Sequence, residues 1–335
     1  MKNLKSLLHN SIKSILEKLC FPKVKFSILP SKNPKFGDIS SNVALLLTRD
    51  LKKSPLDICE IISKELSNKN LKLIAQITIT KPGFINFKIK DSFFQSKIPT
   101  ILSKNHNYGR NSIGRGKTAN VEFVSANPTG PLTIGHGRNA ILGDSISNIL
   151  EWNGYKITRE YYFNNAGRQM RILGDSVKAR YFEILGENHN FPEDGYQGAY
   201  IKDIAEQIIK KHGKNLTIES LQFKTEAEQM IFNQIKNSLK KLKIHFDQFT
   251  NEKTFYKNGD IDDMLSKLTQ KELLYKKDGA TWFKATALGK EQDRVYIKKS
   301  GEPTYRVPDT AYHKNKIDRG FDLIIDIFGT DHADA

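Results

Sequence analysis

The feature that most constrains this chain is the stretch "ANVEFVSANPTGPLTIGHGRNAILGD", residues 119–144. It opens with "ANVEFVSA", a near-continuous apolar run of the kind buried on both faces of a parallel sheet. Gly130, Gly135 and Gly137 then shape a turn. After it Ile141, Leu142, Ile146, Ile149 and Leu150 recur at helical spacing as far as Gly154, a C-terminal stop. "YKITREYYF" reads as a second strand. Strand, glycine turn, helix and strand make a βαβ unit, which commits this part of the chain to an α/β fold with a parallel sheet. Ligands of such sheets sit outside the carboxyl ends of the strands, where this turn lies.

A glycine-rich turn at a helix N-terminus presents bare backbone amides, and the helix dipole adds partial positive charge, so a phosphate can approach closely. The segment contains no G-x-x-x-x-G-K-[ST], and the turn holds no G-x-G-x-x-G. It offers "PLTIGHGR" instead. His136, flanked by Gly135 and Gly137, can face phosphates as a donor, with Arg138 adding charge. Read from the residues alone, His136 could also cap the helix or sit in a core.

Before this unit, residues 4–19 carry leucines and isoleucines three to four apart and read as an amphipathic helix. "KVKFSILP" reads as a short strand, "SNVALLLTRDLKK" and "PLDICEIISKELS" as helices, and "LIAQITITKPGFINFKIK" as a hairpin about "KPG". These make a small α+β domain over residues 1–92, followed by a linker at 93–117 and an α/β core at 118–335. Residues 168–250 read as mostly helical and 251–298 as short strands, so an inserted subdomain is expected roughly over 171–300. "DLIIDIFGTDH" returns to a buried parallel strand.

Net charge is +16, and its distribution is uneven: residues 1–115 hold 21 Lys and Arg against 7 Asp and Glu, the remainder 32 against 30. Codon bias would spread lysine evenly. A basic excess confined to the first third points to a polyanionic partner for that domain. The only cysteines, Cys20 and Cys59, form neither a disulfide framework nor a zinc site and read as buried small hydrophobes. No run of eighteen apolar residues occurs, and Lys13, Glu17 and Lys18 interrupt the first twenty, so the chain reads as soluble and cytoplasmic, with no membrane partner.

The glycine turn resembles the HIGH signature of class I aminoacyl-tRNA synthetases. Together with "EYYFNNAGRQM", "FGDISSNVALLL", "KPGFINF", "YRVPDTAYH" and "FGTDH", it is similar to the arginyl-tRNA synthetase family of the bacterial type, over the whole chain. The resemblance implies a Rossmann-type catalytic core that activates L-arginine with ATP and Mg²⁺ and transfers it to tRNA, acting as a monomer with no protein-bound metal. It implies that His136 stabilises the ATP phosphates and that Thr133 stands at the first histidine of HIGH, with one hydroxyl in place of an imidazole. It places Gly135, Gly137, Arg138 and His332 about ATP, and Glu122, Asn127, Tyr305 and Asp309 about arginine. A guanidinium is a planar fork best matched by carboxylates, so lysine should be rejected. In the first domain the resemblance implies that Phe36 stacks on an unpaired tRNA base while Asn33 and Asp38 hydrogen-bond it.

Family members continue beyond this point into a K-M-S-K loop and a helical anticodon-binding domain, and Gly130 stands where some relatives carry a compensating lysine. The resemblance therefore implies an N-terminal portion with weak activity by itself, the more so because arginine activation in this family waits for tRNA. Two other readings fit parts of the sequence: a non-catalytic tRNA-binding fragment, and a HIGH-type nucleotidylyltransferase, which would need neither the basic domain nor the Glu122, Tyr305 and Asp309 set.

Overall fold

The computed structural model describes residues 2–31, 33–69 and 71–329 and divides into compact units on either side of Tyr108 and Gly109. The division falls within the stretch read as a linker. Most of residues 91–107 is nonetheless helical.

The first unit comprises α1 (Lys2–Lys18), β1 (Ile28–Pro30), β2 (Ile39–Ser41), α2 (Val43–Leu51), α3 (Pro55–Asn68), β3 (Ile74–Thr80), β4 (Phe84–Ile89), α4 (Asp91–Gln95) and α5 (Ile98–Lys104). Its strands form an antiparallel sheet in the order β1-β2-β4-β3, with β3 and β4 paired as the hairpin read about "KPG". Leu4, Leu8, Ile12, Ile15 and Leu16 of α1 are buried in one cluster with Ile58 and Ile62 of α3 and Ile85 and Phe87 of β4. The start of α3 is fixed locally: the Ser54 hydroxyl accepts from the Asp57 N–H, and Pro55 occupies the first turn, where no N–H is needed. Cys59 is buried as expected, but Cys20 is exposed. It lies beyond the end of α1 with φ of 55°, outside the stripe that faces the core.

The second unit is built on β5 (Thr118–Glu122), α6 (Ile134–Trp152), β6 (Lys156–Phe163), α7 (Gly167–Ile184), α8 (Ala199–His212), α9 (Gln222–Lys241) and β7 (Gln248–Asn251). It continues with α10 (Glu252–Lys257), α11 (Asp260–Gln270), β8 (Leu274–Lys277), β9 (Ala280–Phe283), β10 (Arg294–Ile297), α12 (Arg306–Asp318) and β11 (Leu323–Asp326). Strands β11, β5, β6 and β7 lie side by side in that order, all parallel. The strand-helix-strand reading of residues 119–163 is thus the centre of this sheet. Residues 171–300 are not one inserted block, because β7 rejoins the parallel sheet within them. Before it, α7, α8 and α9 pack into one core with Val121, Phe123 and Tyr161; after it, β8–β10 form a separate antiparallel sheet whose Tyr296 packs with Phe255, Val307 and Tyr312.

Helix α6 approaches the sheet so closely that a Cβ at Gly143 would lie 2.1 Å from the Phe123 ring. Its apolar repeat covers two faces. Ile146 and Leu150 pack toward the core, whereas Ile141, Leu142 and Ile149 are more than half exposed.

Candidate active site

A cleft of about 1380 Å³ opens at the carboxyl ends of β5 and β6. It brings together eight of the residues expected there: Glu122, Asn127, Thr133, Gly135, His136, Arg138, Tyr305 and Asp309. Gly137 lies in the first turn of α6, its N–H donating to the Thr133 carbonyl at 3.0 Å, and does not line the cleft. His332 lies outside the described residues.

Within the cleft the α6 N-terminus is closed by a reciprocal cap. The His136 N–H donates to the Thr133 hydroxyl at 3.4 Å, and the Thr133 N–H donates to His136 Nδ1 at 3.0 Å. His136 is therefore a capping residue, and the cap sets its chemistry. With Nδ1 accepting, the proton of the neutral ring sits on Nε2, which remains available to donate. A Cβ at Gly137 would meet nothing within 4 Å, and one at Gly135 only the Thr133 hydroxyl at 3.5 Å, so bare backbone surrounds the histidine. This helix end suits an anion.

Between β5 and the turn the backbone is strained: Val124 and Ser125 have φ of 68° and 42°, the left-handed region a β-branched residue rarely enters. Side chains hold it there. Asn139 accepts from the Val124 N–H at 2.7 Å and donates to the Ile327 carbonyl at 2.7 Å, tying α6 to the segments after β5 and β11. The Ser125 hydroxyl donates to Glu122 at 2.7 Å and accepts from the Tyr162 N–H at 3.2 Å. Asn127 bridges likewise, accepting from the Asn164 N–H at 2.9 Å and donating to Gln169 at 3.1 Å.

The same cleft is lined by acidic side chains. Asp309 lies in the first turn of α12, one turn after Tyr305, whose ring is 66% exposed and stacks beneath the Arg306 guanidinium. Burial raises the Asp309 pKa, against the pull of His313 and Lys316. Glu252, at the start of α10, has its pKa raised by burial and by Asp309, and accepts from the Tyr162 hydroxyl at 2.8 Å and Asn164 at 2.7 Å. Glu122 is 2% exposed, and its carboxylate is already engaged by Ser125, Lys316 and the Tyr312 hydroxyl at 2.9 Å. Lys316 is fully buried between Glu122 and Asp326. Although burial pushes Asp326 upward, His313 and Lys316 hold its pKa down at about 2.

Sequence reasoning missed Glu252, Tyr162, Asn139, His313 and Lys316. The one local signal was Asn251, which caps α10 by accepting from the Lys253 N–H. Strand β7, which delivers it, has a single apolar residue in "QFTN" and offers no periodicity to read.

In the first unit, Asn33 caps a short turn of 3₁₀ helix at Pro34–Phe36, and Phe36 is 47% exposed, hence not a core residue. Gly37 has φ of 133°, and a Cβ there would meet the Phe87 carbonyl at 2.9 Å, so only glycine lets the loop lie on β4. Both Asp38 oxygens are engaged within the unit, one by the Ile89 N–H at 2.8 Å and the other by Lys88 at 3.2 Å. Asp38 anchors the loop that displays Phe36.

The parallel sheet, with its central strand leading into a histidine-capped helix N-terminus, belongs to the class I aminoacyl-tRNA synthetases. Residues 97–331 match the family described as tRNA synthetases class I (R), catalytic domain, and residues 3–89 match the arginyl tRNA synthetase N terminal domain. The chain belongs to the arginyl-tRNA synthetase family. An arginine–tRNA ligase of Desulfotalea psychrophila is 48% identical over 310 residues, which are 92% of this chain and 56% of that protein. A solved structure of a candidate arginyl-tRNA synthetase from Campylobacter jejuni is 33% identical, with a TM-score of 0.67 over 73% of this chain and 54% of that one. The Plasmodium falciparum arginyl-tRNA synthetase, 18% identical, shares the fold with a TM-score of 0.65, covering 96% of this chain and 58% of its own. The chain thus spans little more than half the length of these relatives.

Proposed function

We propose that this chain binds ATP and L-arginine as part of an arginine–tRNA ligase, forming arginyl-adenylate and passing the arginyl group to tRNA. The observation that carries the reading is the lining of the cleft, which joins a capped histidine and a bare helix N-terminus with Asp309 and the neighbouring Glu252. The α-carboxylate of arginine attacks the α-phosphorus of ATP, and pyrophosphate leaves. His136 Nε2–H and the first-turn amides of α6 donate to the phosphate oxygens as charge builds on them, a stabilisation greatest in the transition state. Asn127 is assigned to the α-amino and carboxylate end of arginine. Asp309, with Tyr305 one turn before it and Glu252 nearby, takes the guanidinium. Glu122, spent on Lys316, holds α12 to the end of β5 and so supports the position of Asp309.

Mg²⁺ enters with ATP as its counter-ion; among the described residues no group of three or more His, Cys, Asp or Glu side chains is placed to hold a metal. The basic first unit, with Phe36 displayed on its loop, is assigned to tRNA. We place the protein in the cytoplasm as a monomer; among the described residues no helix is long and apolar enough to cross a membrane. The test is calorimetric titration of the chain with ATP, arginine and lysine, alongside ATP–pyrophosphate exchange dependent on arginine and tRNA. Binding of ATP and arginine but not lysine is expected. Equal binding of lysine and arginine would overturn the substrate assignment.

A further inference from the structure

Gln169 lies in the first turn of α7, lines the cleft, and has no role in the function proposed above. Its orientation follows from a chain of hydrogen bonds that starts at the backbone. The Asn164 N–H can only donate, and it meets Asn127 at 2.9 Å, so the atom of Asn127 facing it is the carbonyl oxygen Oδ1. Asn127 then turns its Nδ2 group to Gln169 at 3.1 Å, and the atom of Gln169 that receives it has to be Oε1. Gln169 Nε2 is left with two N–H groups, and among the described residues neither has an acceptor.

An amide pair arranged in this way commits its oxygens to protein N–H groups and keeps its remaining N–H groups to donate, one on Asn127 Nδ2 and both on Gln169 Nε2. A carboxylate accepts such bonds, whereas an ammonium group, which only donates, gains nothing from them. We infer that Gln169 binds the α-carboxylate of arginine directly, together with Asn127, and that this amide pair selects the carboxylate and not the α-amino group. This rests on the assignment of Asn127 to that end of arginine. It narrows the assignment, because both amide oxygens that could have met the α-amino group already accept from the protein.

The neighbouring residues support the same role. Asn164 holds both sides of the arrangement: its N–H fixes Asn127, and its Nδ2 donates at 2.7 Å to Glu252, whose charge is felt by the Asp309 assigned to the guanidinium. Its Oδ1 accepts from the Ala166 N–H at 2.7 Å, just before α7 begins, which ties the helix of Gln169 to the same residue. Amides that suit a carboxylate and an acid that suits a guanidinium are thus built on one asparagine, as a substrate carrying both groups requires. Arg168, next to Gln169 in the lining of the cleft, has its guanidinium engaged by Asp194, and a ligand taken through that nitrogen would break the pair. Gln169 Nε2 can turn to a carboxylate without breaking any bond.

Gln169→Glu is close to isosteric and keeps the oxygen that accepts from Asn127, while it replaces the Nε2 donors by a charged acceptor. The experiment is calorimetric titration of the unaltered and altered chains with arginine and with agmatine, which has the guanidinium and the amine but no carboxylate. The unaltered chain should bind arginine more tightly than agmatine. In Gln169→Glu, arginine affinity should fall by about ten- to a hundredfold, the worth of a hydrogen bond to a charged group, while agmatine holds or gains. Arg168→Gln should keep the preference for arginine. In the unaltered chain, the ¹⁵N resonance of the Gln169 side-chain amide should shift with arginine and stay with agmatine, which needs no variant. Equal losses for both ligands in Gln169→Glu, a preference for arginine that survives it, a preference lost in Arg168→Gln instead, or an amide resonance that ignores arginine overturns the inference while leaving the arginine assignment standing. Failure of the unaltered chain to bind either ligand overturns that assignment and this inference with it.

Discussion

The Thr133 N–H donates to His136 Nδ1 at 3.0 Å, and this single bond fixes which nitrogen of the histidine can reach a ligand. The cap leaves Nε2 carrying the proton, so the phosphate donor proposed for this histidine would depend on the cap. Replacing His136 by Ala should therefore lower arginine-dependent ATP–pyrophosphate exchange by about two to three orders of magnitude through loss of a transition-state donor. Thr133→Ala, which removes the hydroxyl cap, should cost about 1 kcal/mol of stability. Exchange kinetics paired with urea unfolding separate the two. A His136→Ala chain that loses stability but keeps its exchange rate would leave the histidine with the cap alone.

Asp309→Asn should weaken arginine by about 2–5 kcal/mol, since a guanidinium would lose its charged partner, and should leave ATP affinity nearly unchanged. Because burial raises the pKa of Asp309, arginine affinity should also fall on acidification sooner than an ordinary aspartate would predict. Calorimetry with each ligand across the acid range checks both. Equal losses for ATP and arginine would make Asp309 a structural residue.

Lys316 is shared by two carboxylates, the buried Glu122 and the half-buried Asp326. Lys316→Met should destabilise the second unit by about 3–5 kcal/mol, and adding Glu122→Gln should recover part of the loss, because the cost lies in the charge left unpaired. A pH series adds a second reading. The raised His313 pKa contributes stability fully present below its ordinary value of 6.5 and lost as pH rises through about 9. With the ring a third exposed, the loss should be about 1–2 kcal/mol after screening. Chemical unfolding between these pH values measures it, and His313→Gln should flatten the dependence.

For the first unit, tRNA affinity should fall steeply with salt, each neutralised phosphate contributing roughly −0.7 to −0.9 to the slope of log K against log salt. Phe36→Ala should weaken binding by about 1–3 kcal/mol if the ring stacks on a base, with little effect on that slope. Fluorescence anisotropy with labelled tRNA at graded salt provides the measurement. A flat response would remove the polyanion from the account of the +14 charge on residues 1–115.

What the sequence determined by itself is local. "ANVEFVSA", the glycine turn and the isoleucine repeat specify β5, the α6 N-terminus and β6, because period, turn chemistry and capping act within a few residues of one another. The leucine stripe of α1 and the "KPG" hairpin are legible for the same reason. Which face of α6 is covered was not, since Ile146 and Ile149 are equally apolar and only their neighbours in space distinguish them. Family resemblance alone named Glu122 and Asp309, and the pairings among the acidic side chains of the cleft belong to tertiary structure. Glu122 and Lys316 stand 194 positions apart, and Glu252 follows a strand with no pattern of its own. Only when the parallel strands align their carboxyl ends do these charges come within hydrogen-bonding distance. There, low dielectric decides which carboxylates are spent on one another and which remain for a ligand.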